Sequence, residues 1–415
     1  MSVYDVEFSR AQFAQFRSPI SARLAFLENA GAAYAPDQVT QKLVHFFTKT
    51  KVQPYYLYKP SLEAGAAMDR SQALLAASIN AEVDEIHLGP STTLNVYVLA
   101  QALRSQMSAG DEIVVSYQDH EANIGAWSRL VATGLNVKTW LPDPETGFLD
   151  MDDLAGLINR RTRLVCVTHC SNVVAAVNPI RKITEICHAA GARIVVDGVS
   201  FAPHGAVDMR ELNVDFYLFS LYKTFGPHLG LLYCRRDHLV ELPNQGHFFH
   251  DHEPSKRLTP AGPDHGEIAC ASGIIDYYRD LYQHHWPGTD FDARPLVRRL
   301  AQLFALLNAH ESEITQPLLD YLAANPRVRI IGYPTQEGQP RAPTVAFNVA
   351  GLDNKSIAAA MAAADIGCGY GHFYAYRLMQ QLDIDPEQGV TRLSMAHYNT
   401  AEEINRAIDV LDRLL

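Results

Sequence analysis

The stretch FSLYKTFGPHLG, residues 219–230, places a lysine among apolar and aromatic side chains. It continues the apolar run VDFYLF, which is typical of a buried strand, so Lys223 comes directly after the end of that strand. Burying a charged ammonium group is costly unless it is paired or neutralised. The ordinary alternative is a surface lysine that extends its charged end into water. The sequence therefore raises the question whether Lys223 is kept neutral for chemistry.

The composition of the 415-residue chain is that of an ordinary globular protein, with 47% hydrophobic and 20% charged residues. This length is enough for two domains and a sizeable core. The formal net charge of −11 argues against a nucleic-acid-binding protein, which would normally carry a basic excess. Neither a signal peptide nor an apolar run of membrane-spanning length is evident. We therefore expect neither nucleic acid nor a membrane as a partner.

None of the six cysteines forms a CxxC pair, and most lie in apolar runs. This pattern is typical of reduced thiols in the core of a cytoplasmic protein. The segment GHFFHDHE, residues 246–253, is rich in histidine, but its spacing matches no known zinc motif. We interpret it as a polar loop and predict no metal site. It belongs to an irregular stretch, residues 243–266, that we expect to border the site or a subunit interface.

The middle of the chain alternates apolar strand patterns with helical patterns, which predicts an α/β fold with a mostly parallel sheet covered on both faces. We expect a large domain at residues 26–292. A smaller C-terminal α+β domain is expected at residues 293–415, with residues 1–25 packed on it. The predicted elements are strands at 111–117, 163–169, 192–198, 214–220 and 230–236, helices at 180–191 and 293–308, and a final helix with a capping box of Thr400 and Glu403.

Polar residues follow the carboxyl ends of the predicted strands, where ligands bind in open α/β sheets. Five strand ends offer an anion site, an imidazole, an amide, a carboxylate and a lysine. The anion site is the loop GPSTTLN, residues 89–95, which opens a helix and leaves backbone N–H groups free for a phosphate. The candidate residues are Ser91, Thr92, Thr93, His120, Asn172, Asp197, Ser200, Ser220, Tyr222 and Lys223.

These groups together suit one cofactor, pyridoxal 5′-phosphate. An apolar pocket favours a neutral lysine, and only a neutral amine can attack the cofactor's aldehyde. A buried carboxylate such as Asp197 can keep the pyridine nitrogen protonated, while an imidazole stacks on the ring and a helix terminus holds the phosphate. Each residue also has an ordinary interpretation. Lys223 could extend its charged end to water, Asp197 could cap a helix, and His120 could be an ordinary loop residue. Asn172 could stabilise a turn, and Arg392 could belong to a surface ion pair.

The segment SLYKTFGPHLG resembles the lysine segment of the class V aminotransferases, of pyridoxal-phosphate fold type I, and especially of their cysteine desulfurase-like branch. Four further segments resemble this family in the expected order: YQDHEANIGAW, THCSNVVAAVNPI, VVDGVSFAPHGAVDM and VTRLSMAHYNTAEEI. The resemblance runs from LENAGA at Leu27 to the last helix. It implies a large domain with a mostly parallel, seven-stranded sheet, and a homodimer with its site near the subunit interface.

The resemblance also implies a role for each candidate residue. Lys223 would bond the cofactor and later move the substrate's α-proton. Asp197 would pair with the pyridine nitrogen, and His120 would stack on the ring. Asn172 would bond the ring oxygen or the substrate carboxylate, which Arg392 would clamp. The remaining assignments are Ser91, Thr92, Thr93, Ser220 and Tyr222 at the phosphate, Ser200 near the ring oxygen, and His372 and Tyr374 at the substrate.

The chain departs from the family where desulfurases carry the cysteine that takes sulfur from the substrate. In the run GHFYAYR, residues 371–377, Tyr374 stands at that position, and Cys368 lies a little earlier. The resemblance therefore implies a lyase that breaks a carbon–sulfur bond of cysteine or a cysteine derivative without a conventional persulfide cysteine. Transamination and epimerisation of an amino acid are alternatives. A more remote one is a catalytically silent, dimeric partner protein that keeps only the fold.

Overall fold

The computed structural model describes residues 3–19, 21–262, 264–292, 295–336 and 338–415. The described strands are β1 (Ala25–Phe26), β2 (Ile86–Gly89), β3 (Glu112–Ser116), β4 (Asn136–Trp140), β5 (Thr162–Thr168), β6 (Arg193–Asp197), β7 (Phe216–Ser220), β8 (Gly230–Cys234), β9 (Val328–Ile331), β10 (Thr344–Val349), β11 (Ile366–Gly367), β12 (Gly369–Gly371) and β13 (Val390–Ser394). The described α-helices are α1 (Val6–Arg10), α2 (Ala14–Arg17), α3 (Asp37–His45), α4 (Lys59–Ser78), α5 (Thr92–Arg104), α6 (Gly125–Ser128), α7 (Met151–Leu157), α8 (Ile180–Ala189), α9 (Met209–Leu212), α10 (Arg236–Glu241), α11 (His265–His285), α12 (Leu296–Ala323), α13 (Asn354–Ala363), α14 (Tyr376–Gln381) and α15 (Ala401–Asp412).

The larger sheet has seven strands in the order β2-β8-β7-β6-β5-β3-β4. Its neighbours pair in parallel except at β8, which is antiparallel to both β2 and β7. Successive side chains alternate between two cores, so that Val114 and Val196 pack on one face and Val115 and Val195 on the other. The expected mostly parallel, seven-stranded sheet of an α/β fold is therefore confirmed, and it is buried on both faces.

The five strands predicted in the middle of the chain are present as β3, β5, β6, β7 and β8. β7 ends at Ser220 as predicted, whereas the other four end one or two residues earlier than expected. The helix predicted at 180–191 is α8, which stops at Ala189. Gly191 then takes a φ of 78°, a left-handed conformation that costs glycine little and ends the helix.

A second, antiparallel sheet is built in the C-terminal part of the chain, in the order β12-β13-β10-β9. It shares a separate core with α12, α13 and α15, to which Phe347, Leu393 and Ile404 contribute. The capping box predicted at Thr400 and Glu403 is present, because each side chain accepts a hydrogen bond from the other residue's backbone N–H. The expectation of a smaller α+β unit is thus confirmed.

Helix α12 is much longer than the predicted helix at 293–308. It begins at Leu296 and continues beyond Asn308 to Ala323, while the predicted first residue, Ala293, lies outside the described residues. The prediction of the C-terminal end was wrong because the apolar face continues through Ile314 and Leu318, which pack into the core of the second sheet. None of the described helices, α12 included, is long and apolar enough to cross a membrane.

The N-terminal segment contacts both parts of the chain. The Nη1 atom of Arg10 lies 2.9 Å from Oε1 of Glu403, and β1 pairs with β11 in the C-terminal part. The backbone N–H of Asp5, however, donates to Nε2 of His285 in α11, at 3.0 Å. The assignment of residues 1–25 to the smaller domain, and the boundary between residues 292 and 293, therefore stay predictions.

Candidate active site

A cavity lies at the edge of the larger sheet where β2, β3, β5, β6 and β7 end. Every residue predicted to hold the cofactor lines it, although these residues come from distant parts of the chain. The strand-end argument therefore located the cavity lining. It missed the lining residues Ala122, Thr168, Cys170 and Val199, which carry no charge and lie beside the polar positions. The predicted residues that line the cavity are Ser91, Thr92, Thr93, His120, Asn172, Asp197, Ser200, Ser220, Tyr222 and Lys223.

The start of α5 forms one end of the cavity. Ser91 caps the helix, since its side chain accepts a hydrogen bond from the N–H of Leu94 at 3.2 Å. The hydroxyls of Thr92 and Ser220 are hydrogen-bonded to each other at 2.8 Å. A Cβ atom on Gly230 would lie 2.4 Å from the backbone of Ser91 and Thr92, so only glycine lets β8 approach the helix start this closely. Helix N–H groups and hydroxyls thus converge where an anion can bind.

Lys223 projects into the cavity just beyond β7. Its Nζ atom lies 6.0 Å from the centre of the Tyr222 ring. Burial, helped by the positive charge of Arg392, lowers the pKa of the Lys223 ammonium group to about 8, although the charges of Asp197 and Glu28 oppose the shift. The neutral amine is therefore reached at a much lower pH than for a lysine exposed to water. The buried position of Lys223 therefore excludes the alternative of a surface lysine that extends its charged end into water.

Asp197 ends β6 and is only 4% exposed. Its Oδ1 accepts the backbone N–H of Val199 at 2.9 Å. Burial raises the pKa of the Asp197 carboxyl group to about 6, although the Val199 N–H and the charge of Lys223 both lower it. Burial also raises the pKa of nearby Asp119, and the charge of Asp197 adds to that effect. A cation placed against Asp197 would therefore be strongly stabilised.

His120 is held neutral with a defined tautomer. Its Nδ1 accepts the backbone N–H of Ala122 at 3.0 Å, so the ring proton of the neutral imidazole lies on Nε2. Burial, together with the charges of Lys223 and Arg392, lowers the pKa of His120 to about 3. A neutral, oriented imidazole ring at the wall of the cavity suits stacking on a flat ligand.

Asn172 joins the cavity to a strained loop. Its Nδ2 donates to the carbonyl oxygen of Phe373 at 2.9 Å, and its buried Oδ1 has no hydrogen-bond partner among the described residues. Phe373 and Tyr374 have φ angles of 49° and 59°, which are uncommon for residues other than glycine. The carbonyl oxygen of Tyr374 accepts a hydrogen bond from the N–H of Glu121 at 2.8 Å. The centre of the Tyr374 ring lies 5.1 Å from the centre of the His120 ring. These contacts hold the loop against the cavity.

Arg392 lies on β13, next to the cavity lining rather than within it. It is 2% exposed, and its Nη1 donates to the carbonyl oxygen of Asn172 at 3.0 Å. Its Nη2 lies 2.9 Å from Oε1 of Glu28, and its guanidinium carbon lies 3.7 Å from the centre of the Phe373 ring. Burial lowers the pKa of Arg392 to about 10, so the group stays charged at physiological pH. The sequence argument missed Glu28, although it is a carboxylate two residues beyond the short strand β1.

The other predicted substrate residue, His372, lies in the same loop as Tyr374. Its Nδ1 accepts the backbone N–H of Tyr374 at 3.0 Å. Cys368 is partly buried, and burial together with the charge of Glu28 raises the pKa of its thiol to about 11. All six cysteines are free thiols, and the other five are buried. Within the described residues, no group of three or more histidine, cysteine or acidic side chains is arranged to hold a metal ion.

Two segments of the chain, residues 25–252 and 301–407, match the family model described as aminotransferase class-V. The chain belongs to the class V aminotransferase family. It is therefore a pyridoxal-phosphate-dependent enzyme, as the resemblance of its five segments predicted.

Relatives of this class V aminotransferase include fungal and bacterial proteins. It is 35% identical to an aminotransferase-like protein of Gibberella zeae, over 100% of this chain and 99% of the relative. It is 30% identical to a cysteine desulfurase-like protein of Aspergillus flavus, over 100% and 91% of the two chains. A cysteine desulfurase of Pectobacterium carotovorum is 29% identical, over 99% and 98%. The predicted cysteine desulfurase-like branch is thus confirmed.

Solved structures resemble this class V aminotransferase along almost the entire chain. A cysteine desulfurase of Escherichia coli superposes with a TM-score of 0.83 at 23% identity, covering 99% of this chain and 98% of the other. A cysteine desulfurase of Thermococcus onnurineus gives a TM-score of 0.85 at 24% identity, covering 100% and 99%. The likeness confirms pyridoxal-phosphate fold type I.

Proposed function

We propose that this enzyme cleaves the carbon–sulfur bond of a cysteine derivative, and that it does so without a persulfide-forming cysteine. The observation that carries the proposal is the position of Tyr374. Its ring lies 5.1 Å from His120, at the position where the family resemblance places the desulfurase cysteine. Lys223, Asp197 and His120, the groups proposed for cofactor binding and α-proton transfer, all line the neighbouring cavity. The chain therefore keeps the common chemistry of the family but lacks the sulfur acceptor.

The cavity suits pyridoxal phosphate because residues able to hold its phosphate, ring nitrogen, ring hydroxyl and aldehyde all line it. The helix N-terminus at Ser91 would hold the phosphate, with the hydroxyls of Thr92 and Ser220 and with Thr93 and Tyr222 beside it. Asp197 would pair with the protonated ring nitrogen. The Oδ1 of Asn172, which has no partner in the described part of the chain, would accept a hydrogen bond from the ring hydroxyl. The bound cofactor supplies an electron sink for bonds at the substrate's α-carbon.

The protein's own groups would then move the proton and orient the substrate. Lys223, whose pKa is lowered to about 8, would take the α-proton of the substrate at Nζ. Arg392 would bind the α-carboxylate through its planar guanidinium group. The neutral His120 ring would cover one face of the cofactor. The electron pair of the Cα–H bond would form a Cα–Cβ double bond while the Cβ–S bond breaks with its electron pair leaving on sulfur. The proton taken by Lys223 would pass to the sulfur, which departs as a thiol or as sulfide, and water would convert the remaining 2-aminoacrylate to pyruvate and ammonium.

Cys368 is unsuited to replace the absent cysteine. Burial and the charge of Glu28 raise the pKa of its thiol to about 11, and the thiolate is the form that attacks sulfur. Tyr374 and its neighbours Tyr370 and Tyr376 are instead 67%, 48% and 39% exposed. Such an aromatic rim suits a substituent on the substrate's sulfur atom, so we propose an S-substituted cysteine rather than free cysteine as the better substrate.

The proposal is tested by adding L-cysteine and then S-methyl-L-cysteine to the holoenzyme while its visible spectrum and thiol release are recorded. We expect the absorption of the lysine-linked cofactor to fall and then recover as methanethiol accumulates. More thiol product should form per minute from S-methyl-L-cysteine than sulfide from L-cysteine. Enzyme with Lys223→Ala is the control and should release neither product.

Other outcomes would replace the proposal with a defined alternative. Permanent loss of the absorption without thiol release would indicate transamination, which the aminotransferase-like relative makes the second candidate. Inversion of the α-carbon without release would indicate an epimerase. A protein that takes up no cofactor would instead be a silent partner.

We also propose that the enzyme is a homodimer. Hydrophobic side chains are exposed along residues 44–62, among them Leu57 at 93%. This surface reaches the start of α11, where a Cβ atom on Gly266 would lie 3.0 Å from Phe47. The predicted crossing segment, residues 243–266, adds Phe248 at 87% exposed. Exposed apolar side chains in such number are usually covered by a partner, and a second copy of the chain would cover them.

Light scattering coupled to gel filtration tests the dimer. We expect twice the mass of the chain, and we expect Leu57→Lys to shift the protein towards the monomer because it places a charge in the apolar surface. An active monomer at working concentrations would contradict the proposal.

Because all six thiols are free, we also propose a reducing, cytoplasmic location.

A further inference from the structure

The guanidinium group of Arg392 already holds a carboxylate. Its Nη2 lies 2.9 Å from Oε1 of Glu28, and its Nη1 donates to the carbonyl oxygen of Asn172. Its Nε is buried and has no hydrogen-bond partner among the described residues. One face of the group is covered by the Phe373 ring, at 3.7 Å. The residue proposed to bind the substrate is therefore occupied from within the chain.

The position of Glu28 bears directly on how a second carboxylate could bind. A carboxylate can grip a guanidinium at two points either end-on, through Nη1 and Nη2, or side-on, through Nε and Nη2. The nitrogen Nη2 belongs to both edges, and it is the one that holds Glu28. Because Nη2 carries one N–H on each edge, a two-point grip on the edge that Glu28 uses displaces Glu28, and a grip on the other edge sets a second carboxylate against the same nitrogen. Keeping both would also place two like charges beside one cation.

Two glycines make room for the Glu28 carboxylate. A Cβ atom on Gly31 would lie 2.2 Å from Oε2 of Glu28, and one on Gly369 would lie 3.4 Å from Oε1. The Glu28 side chain is nevertheless 30% exposed, while Arg392 is almost fully buried. A displaced Glu28 can therefore turn towards water and recover its hydration, whereas Arg392 cannot leave.

We propose that Glu28 is a displaceable internal ligand of Arg392, and that the α-carboxylate of the substrate takes its place. The inference rests on the proposed binding of an amino acid through Arg392. When no substrate is bound, Glu28 neutralises and orients the buried guanidinium. When substrate binds, one carboxylate replaces another, so the net charge around Lys223 is preserved. Glu28 thus sets how strongly the substrate's α-carboxylate must bind Arg392 in order to displace it, and so it determines specificity for ligands that carry a carboxylate.

The test compares two ligands that differ only in the carboxylate: S-methyl-L-cysteine and 2-(methylthio)ethylamine. Each is titrated into the holoenzyme, and the initial change of the visible spectrum gives a dissociation constant. In Glu28→Gln, the neutral amide is a weaker competitor, so we expect S-methyl-L-cysteine to bind about fivefold to tenfold more tightly. The affinity for the amine should stay within about twofold, because the amine makes no contact with Arg392.

A second variant moves Glu28 without removing its charge. In Gly31→Ala, the new methyl group would occupy the space of Oε2 and push the carboxylate away from Arg392. The same selective gain in affinity for S-methyl-L-cysteine is expected. Glu121→Gln is a matched control, because Glu121 pairs with Arg377 at the rim rather than with Arg392. It should leave the ratio of the two affinities unchanged.

Each result has a definite meaning. A selective gain in both Glu28→Gln and Gly31→Ala supports the inference. A selective loss of S-methyl-L-cysteine affinity would overturn it, because Glu28 would then only position Arg392 for the substrate. An unchanged affinity ratio in the folded variants would overturn it as well, since both carboxylates would then bind together. If neither ligand altered the spectrum of the wild-type enzyme, the proposed function itself would fail instead.

Discussion

The Lys223→Ala variant is expected to hold no covalently attached cofactor and to lose at least ~10³-fold in turnover, since it lacks the amine that we propose bonds the cofactor and takes the α-proton. Borohydride reduction followed by mass spectrometry of the intact chain measures the attachment. The characteristic absorption of the lysine-linked cofactor should disappear at the same time. The variant should stay folded, because alanine removes a group that is costly to bury in its charged form.

Two controls separate loss of the amine from general damage at the site. Lys223→Arg keeps the positive charge, but its guanidinium does not lose a proton at ordinary pH, so it should also fail to bond the cofactor. Wild-type apoprotein should attach the cofactor faster as the pH rises through about 8, because the neutral amine is the reacting form and the pKa of Lys223 is lowered to about that value. Attachment that persists in Lys223→Ala would assign the bond to another residue.

Replacing Asp197 with asparagine is expected to lower turnover by ~10²–10³-fold while leaving the covalent link to Lys223 intact. The amide has nearly the same size, but it carries no charge to keep the cofactor's ring nitrogen protonated. The electron sink is thereby weakened, although the phosphate end and the lysine are untouched. Steady-state kinetics gives the loss in turnover, and mass spectrometry after reduction confirms the link.

Asp119→Asn is the matched control for this substitution. Asp119 is also a buried carboxylate with a raised pKa, but its side chain bonds Asn123 and the backbone of His120 and does not line the cavity. We expect Asp119→Asn to reduce turnover by less than about tenfold, because it would alter only the position of the His120 ring. An equal loss in both variants would show that Asp197 acts through the general charge of the core, not through the ring nitrogen.

The sequence was sufficient to locate the cavity lining because the relevant signal is local. Each parallel strand is a short apolar run, and the first polar residue after it lies at the ligand-binding edge of the sheet. This rule brought together residues as distant as Ser91 and Lys223, and all the predicted lining residues lie around one cavity. The capping box of α15 is local in the same sense, since Thr400 and Glu403 recognise each other within one helical turn.

The features that the sequence did not reveal depend on contacts between distant segments. Glu28 contacts Arg392 only because β1 and β13 are brought together by the fold, and nothing near Glu28 in sequence indicates this. The left-handed conformations of Phe373 and Tyr374 are equally hidden, because tertiary contacts to Asn172 and Glu121 hold residues that would locally prefer another conformation. Helix α12 passed its predicted end for a similar reason, since the second core extends its apolar face.

The close approach of Gly230 to the start of α5 has a mechanical consequence. Gly230 begins β8, the strand that is antiparallel to its neighbours, and its backbone packs directly on the backbone of Ser91 and Thr92. No side chain lies between β8 and this turn, which would bind the phosphate. The phosphate-binding turn is therefore as rigid as the sheet and less mobile than a surface loop would be. The anchor cannot widen unless the sheet moves with it, so the phosphate end can act as a fixed pivot while the opposite, substrate-facing end exchanges one carboxylate for another.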